Sequence, residues 1–181
     1  MATHIDMPIT SAIVLPNLAY LGAASNYLEE IYEVLGPLAL FEGFTPEEHS
    51  TLCDYMECYA ADEGVTIFSE GETGDFMMLV LTGSVNVIKH DKDSKEKVVS
   101  EVGPGGFLGE MSLVDGQPRF ASCVATMPTD VAILHRRDLA GMVSGQPQVG
   151  IKVLLLLLQL VTRRLRDATT RMLPTIESNW I

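Results

Sequence analysis

Two short runs in the second half of the chain carry side chains suited to holding a small anion. Phe107-Leu108-Gly109-Glu110-Met111-Ser112-Leu113 leads to Pro118-Arg119-Phe120-Ala121-Ser122. Gly109 follows an apolar pair and lets the backbone turn tightly. A helical turn starting there would aim free N–H groups outward, which favours an anion. Arg119 is the only Lys or Arg between Lys97 and Arg136. Its guanidinium offers a rigid fork to two phosphate oxygens. Glu110 cannot bind phosphate, but its carboxylate accepts hydrogen bonds from a sugar hydroxyl. The pair suits a ribose-phosphate. Judged by their neighbours alone, Arg119 would be a solvated turn residue and Glu110 a surface carboxylate.

The elements that must position these residues are legible as a change of period. Residues 1 to 24 are apolar and loosely patterned, with Pro8 and Pro16 as breakers, and read as an arm. Tyr27, Leu28, Ile31, Val34 and Leu35 fall at helical spacing, stopped by Gly36-Pro37. A second helix starts at Thr45 as cap, with Pro46 at the first position and Glu48 completing a capping box; its apolar face carries Leu52, Tyr55 and Met56. From Gly64 onward come short β runs: Val65 to Phe68, Phe76 to Leu81, Ser84 to Lys89, Lys97 to Val102, Ser122 to Met127 and Asp130 to Leu134. Gly103-Pro104-Gly105-Gly106 punctuates them. Short strands at this spacing predict a mainly β, antiparallel sandwich, jelly roll or barrel rather than βαβ units.

After His135 the helical period returns. Arg137 to Met142 fits a short helix, broken at Gly145-Gln146-Pro147. Gly150 to Met172 reads as one long helix ended by Pro174. Leu154, Leu157, Leu158, Val161, Leu165, Ala168 and Met172 form its stripe, widened by Leu155, Leu156 and Leu160. A helix this apolar buries more than one face. One face would pack on the β domain and the other on a second copy, a symmetric homodimer through residues 150–172. Arg163, Arg164, Arg166 and Arg171 crowd its last turns, where cations suit the helix dipole. The organisation is then an arm and helix over 1–36, a β domain with its leading helix over 37–145, and a long helix and tail over 146–181.

Charge narrows the partners. The chain has 181 residues and a formal net charge of −12. No Lys or Arg precedes Lys89, while 14 of the acidic residues do. Duplex DNA binding relies on many basic side chains neutralising phosphates, so a general polyanion binder is excluded. The longest apolar run, Val153 to Leu158, falls far short of the roughly 18 residues of a membrane span. With no basic leader before Tyr20, a cytoplasmic location is expected. Cys53, Cys58 and Cys123 lack CxxC spacing and read as buried thiols. An enzyme is not expected. His4, His49, His90 and His135 are scattered without an H-x-H pair for a metal, no serine sits in a nucleophile elbow, and Cys123 reads as core filler.

The segment Phe107 to Ala121 resembles the phosphate-binding cassette of the cyclic nucleotide-binding domain family, F-x-G-E-x-x-L followed by P-R-x-A. Glu70-Gly71-Glu72 and Leu81-Thr82-Gly83-Ser84-Val85 match the family's turns. Arg163-Arg164-Leu165 resembles the long helix of its catabolite activator protein-like branch. The resemblance covers roughly residues 40 to 172. It implies an eight-stranded jelly roll, also called a double-stranded β-helix, flanked by helices. It implies that Glu110 accepts from the ribose 2′-hydroxyl and that Arg119 pairs with the cyclic phosphate. Backbone around Leu108, Gly109, Glu110 and Met111, and at Ala121, would contact phosphate or sugar. Thr169 and Arg164 would serve the base. Phe120 departs from the family, which carries Ala, Ser or Thr there. Without a hydroxyl, cAMP is favoured over cGMP, and the ring either stacks on a base or fills the pocket. Ala168 replaces a Thr of the activator.

Two functions follow as expectations. The first is a stand-alone sensor that binds cAMP and signals to an effector protein through the long helix. The family's helix-turn-helix would follow that helix and does not, so no DNA reading is expected. The second is a degenerate, ligand-free fold serving as a dimerisation module.

Overall fold

The computed structural model describes residues 15–177, with side chains through residue 170. Pro8, the rest of 1–14 and the side chain of Met172 lie outside the described residues. Nine strands among these residues form two antiparallel sheets. One has the order β1-β2-β9-β4-β7, the other β3-β8-β5-β6. The strands are β1 (Ala19–Ala23), β2 (Glu57–Ala61), β3 (Thr66–Phe68), β4 (Phe76–Val80), β5 (Val85–His90), β6 (Glu96–Val102), β7 (Phe107–Leu108), β8 (Ser122–Ala125) and β9 (Thr129–His135). Five helices accompany them: α1 (Leu28–Leu35), α2 (Pro46–Cys53), α3 (Glu110–Asp115), α4 (Arg136–Gly145) and α5 (Pro147–Glu177).

The ninth strand is the departure from the expected eight. It is β1, inside the segment read as a patternless arm. Most of its residues are exposed, so it shows no burial periodicity, and it is held by antiparallel pairing to β2. Backbone ladders of this kind leave little trace in side-chain type.

Two apolar clusters share the five-stranded sheet. Met77 and Leu79 of β4, with Ala132 and Leu134 of β9, face the helices. Phe76, Met78 and Val80, with Val131 and Ile133, face the other sheet. Both faces are covered, which explains why Phe76-Met77-Met78-Leu79-Val80 is apolar throughout. In β5 only Val85 and Val87 point inward, and the strand alternates.

The helix starts hold, but α2 ends at Cys53, so Tyr55 and Met56, expected on its apolar face, lie beyond it in the turn into β2. Thr45 accepts from the Glu48 backbone N–H and Glu48 accepts from the Thr45 N–H, with Pro46 at the first position. Gln146 separates α4 from α5, which begins on Pro147. Pro174 does not end α5, which continues to Glu177. A proline forfeits the bond its missing N–H would make to the carbonyl four residues back, a modest loss so near a helix end. Along α5, Val149, Val153, Leu156 and Leu157 are buried against the helix-side core, and Leu160 packs there partly. Ile151, Leu154, Leu155, Leu158 and Leu165 are exposed. Each fully buried side chain contributes about 1.5–3 kcal/mol. No helix among the described residues is long and apolar enough to cross a membrane.

Candidate functional site

The cassette is a turn between the sheets. β7 pairs with β4 and delivers Gly109 at φ +79°, a left-handed conformation that favours glycine. α3 begins at the next residue. Arg119 returns on the far side, sewn to the Ser69–Asp75 turn. Its N–H donates to the Glu72 carbonyl at 2.7 Å, and its own carbonyl accepts from the Gly71 N–H at 2.9 Å.

Neither charged residue has the surface setting that its neighbours suggest. Arg119 is 3% exposed and Glu110 is 2% exposed. The Arg119 guanidinium is sandwiched between the rings of Phe68 and Phe76, its central carbon 4.1 and 4.2 Å from their centroids. A cation over an aromatic face is attracted by the ring quadrupole, more so when desolvated. Nη1 donates to the carbonyls of Phe76 at 2.8 Å and Gly109 at 3.1 Å. Nε and Nη2 are buried with no protein partner. Burial pulls its pKa down to about 10, so the group stays cationic at neutral pH. A buried cation with unpaired donors is costly unless an anion completes it.

Two glycines make room for this arrangement. A Cβ on Gly74 would stand 2.3 Å from Arg119 Nε and 2.4 Å from Cζ. One on Gly109 would stand 2.5 Å from Nη1 and 3.0 Å from the Phe76 carbonyl.

Glu110 is held from α5. Arg164 Nε forms an ion pair with Glu110 Oε1, and Arg164 Nη2 donates to the Phe107 carbonyl at 2.7 Å. Burial raises the Glu110 pKa, and Arg164 partly offsets the rise. The sequence reading gave Arg164 to a base; the structure pairs it with the carboxylate.

Between these groups lies a cleft that opens to solvent. Leu108, Gly109, Glu110, Met111, Arg119, Phe120, Ala121 and Arg164 line it, together with Phe68, Val87, Ser112 and Cys123. Eight of the nine candidate residues are thus brought together. Thr169 is the one that is not. It is exposed on α5, and its hydroxyl donates to the Leu165 carbonyl at 2.9 Å. Phe120 sits on the cavity wall, 58% exposed, and leaves the space open. Cys123 is buried and its thiol is pushed up to about 12, which makes it an unreactive wall residue. The sequence reading missed Gly74, Phe68 and Phe76. A phenylalanine in an apolar strand carries no sign that it will cover a guanidinium. Gly74 carried the only usable signal, a glycine beside an acidic turn.

The fold and the site define a class: a two-sheet β domain with one buried Arg–Glu cavity, suited to a small sugar phosphate and braced by a long helix. The comparisons agree. The description "Cyclic nucleotide-binding domain" matches residues 60–146. A crystal structure of a cyclic nucleotide-binding domain from Methylobacillus flagellatus KT shares 46% identity, at a TM-score of 0.80, over 88% of this chain and 90% of that one. The cyclic AMP receptor protein of Thermus thermophilus is 34% identical over 71% of this chain and 58% of its own length. A CRP-like cAMP-activated global transcriptional regulator of Mycobacterium tuberculosis is 27% identical over 74% of this chain and 58% of its own. This chain belongs to the cyclic nucleotide-binding domain family. It spans 58% of the length of those two curated relatives.

Proposed function

We propose that this domain is a cAMP sensor whose cavity takes the cyclic phosphate at Arg119 and the ribose at Glu110. The observation that carries the reading is the unpaired state of Arg119 Nε and Nη2, buried at a cavity wall opposite a buried carboxylate. A cyclic phosphate would supply acceptors to those donors, and the 2′-hydroxyl would donate to Glu110. The backbone at Leu108, Gly109, Met111 and Ala121 frames the same wall. Adenine is preferred to guanine because Phe120 has no hydroxyl to offer the guanine edge.

The signal leaves through α5. Arg164 joins that helix to both Glu110 and the Phe107 carbonyl, so a ligand that engages Glu110 alters what holds α5. The exposed Ile151, Leu154, Leu155, Leu158 and Leu165 fit a second copy of the chain, whose pairing then presents a surface to an effector protein.

Calorimetric titration tests the ligand. cAMP should bind the intact protein, and Arg119→Ala should weaken it by roughly one to two orders of magnitude, as for a lost hydrogen-bonded ion contact. No binding by the intact protein overturns the reading. Light scattering tests the pairing. The intact protein should have the mass of two chains, and Leu158→Glu, at a position 62% exposed, the mass of one with the fold intact.

A further inference from the structure

We propose that Phe120 is a stacking platform for the base and that Lys89 is the positioning residue that backs it. This rests on the cyclic nucleotide reading above and adds a specificity determinant to it.

An exposed phenylalanine needs something other than the core to hold its ring in place. Phe120 is 58% exposed, so little core packing holds its ring. A different device does. Lys89 Nζ lies 4.3 Å from the ring centroid and also donates to the Phe120 carbonyl at 2.7 Å. The ammonium is fixed in turn. It donates to Glu70 Oε1 at 2.5 Å, and Glu70 Oε2 accepts from the His90 backbone N–H at 3.1 Å. The Glu70 N–H donates to Ser122 Oγ at 2.9 Å, tying the turn to the start of β8. Lys89 and His90 hold the Glu70 carboxyl down to about 2, so it remains a carboxylate across the neutral range.

Phe120 therefore has its cation on one side and the cavity on another. It lines the cavity, whereas Lys89 does not. With the phosphate at Arg119 and the ribose at Glu110, the base must leave by the open side, and the adjacent residue on that side is Phe120. An aromatic side chain there offers a π-face to any base, and stacking strengthens with ring area. The site would then discriminate by base size rather than by hydrogen bonds. Cyclic purine nucleotides should bind better than cyclic pyrimidine nucleotides.

Calorimetry with cAMP and cCMP on the intact protein, Phe120→Ala and Phe120→Leu tests this. Each substitution should weaken cAMP about 5- to 100-fold and cCMP by less, so that the cAMP:cCMP preference collapses. Loss of affinity without loss of the preference would mean that the ring serves only as wall, and would overturn the platform. So would a Phe120→Leu protein that binds cAMP as the intact one does. Lys89→Met should reduce the preference by a few-fold and Lys89→Arg should restore it; an equal loss for both nucleotides would remove Lys89 from the platform. A spectroscopic arm is independent of affinity. In a Trp180→Phe background, Phe120→Trp makes residue 120 the sole tryptophan, and saturating cAMP should quench its fluorescence. If cAMP binds but quenches nothing, the platform fails and the cAMP reading stands. If the intact protein binds neither nucleotide, both fall together.

Discussion

Arg119 and Phe120 are neighbours in sequence and opposites in setting. Arg119 is 3% exposed, held by backbone pairing to the Ser69–Asp75 turn, two carbonyl acceptors and two aromatic rings. Phe120 is 58% exposed, with Lys89 against its ring and its carbonyl. The inner end of the cavity is therefore over-determined, and the outer end rests on side chains that other side chains could replace. An anion site with buried, unpaired donors tolerates no slack, because a misplaced guanidinium forfeits the desolvation it has already undergone. A base that reaches toward solvent tolerates a good deal. On the proposed reading, the phosphate end depends on how backbone and rings hold Arg119, and the choice of base on a few exposed residues.

The sharpest way to break that comparison is Gly74→Ala. Gly74 has an ordinary φ, so the alanine adds no backbone strain, but its Cβ would collide with Arg119 Nε and Cζ. Either the guanidinium or the turn must move. We expect cAMP binding to fall by roughly one to two orders of magnitude, as for Arg119→Ala. The double variant should lose little more than either single one, because both act on one contact. Additive losses in calorimetry would show that the inner end is looser than its geometry.

This residue also marks how far the sequence could be read. Gly109, Glu110 and Arg119 were legible because a tight turn, a carboxylate and an isolated cation lie within one short stretch. Their burial was not, since nothing local distinguishes a solvated arginine from one clasped by Phe68 and Phe76 of two different sheets. The alternating and fully apolar strands announced the sandwich, and the Thr45–Glu48 box announced α2. β1 was silent, because pairing to β2 demands no particular side chains. Arg164 was found on α5, but its ion pair with Glu110 was not legible, since their distance depends on how α5 packs.

A second, smaller effect separates Arg119 from Glu110 by pH. Arg119 stays charged well past neutrality, whereas burial raises the Glu110 pKa, so a loss of binding on acidification is assigned not to Arg119 but to Glu110. Its folded pKa is raised above the ordinary 4.5 by burial. The ligand-free protein thus gains stability from a retained proton; this gain is full below 4.5 and lost as pH rises through the raised value. Binding has the opposite sign, because the ribose hydroxyl needs the ionised carboxylate. Acidification through that window should weaken cAMP about tenfold, and Glu110→Gln should flatten the profile at the weaker level. A profile that stays sloped in Glu110→Gln would assign the titration elsewhere.

The smallest expected effect concerns Thr169, on α5. It lies five residues beyond Arg164, a rise of about 7.5 Å along the axis. Arg164 reaches the cavity wall, whereas Thr169 is exposed, absent from that wall, and donates its hydroxyl to the Leu165 carbonyl. A hydroxyl engaged with its own helix has its one donor occupied. Thr169→Ala should therefore change cAMP affinity by less than about twofold. A tenfold loss would carry a specific meaning. It would require the helix to bend toward the cavity on binding, or a partner copy's α5 to reach across. Pairing Thr169→Ala with the monomeric Leu158→Glu separates the two. If the loss vanishes in the monomer, the threonine serves the neighbouring subunit's site. If it persists, the movement lies within one chain and the outer end is built only when ligand arrives.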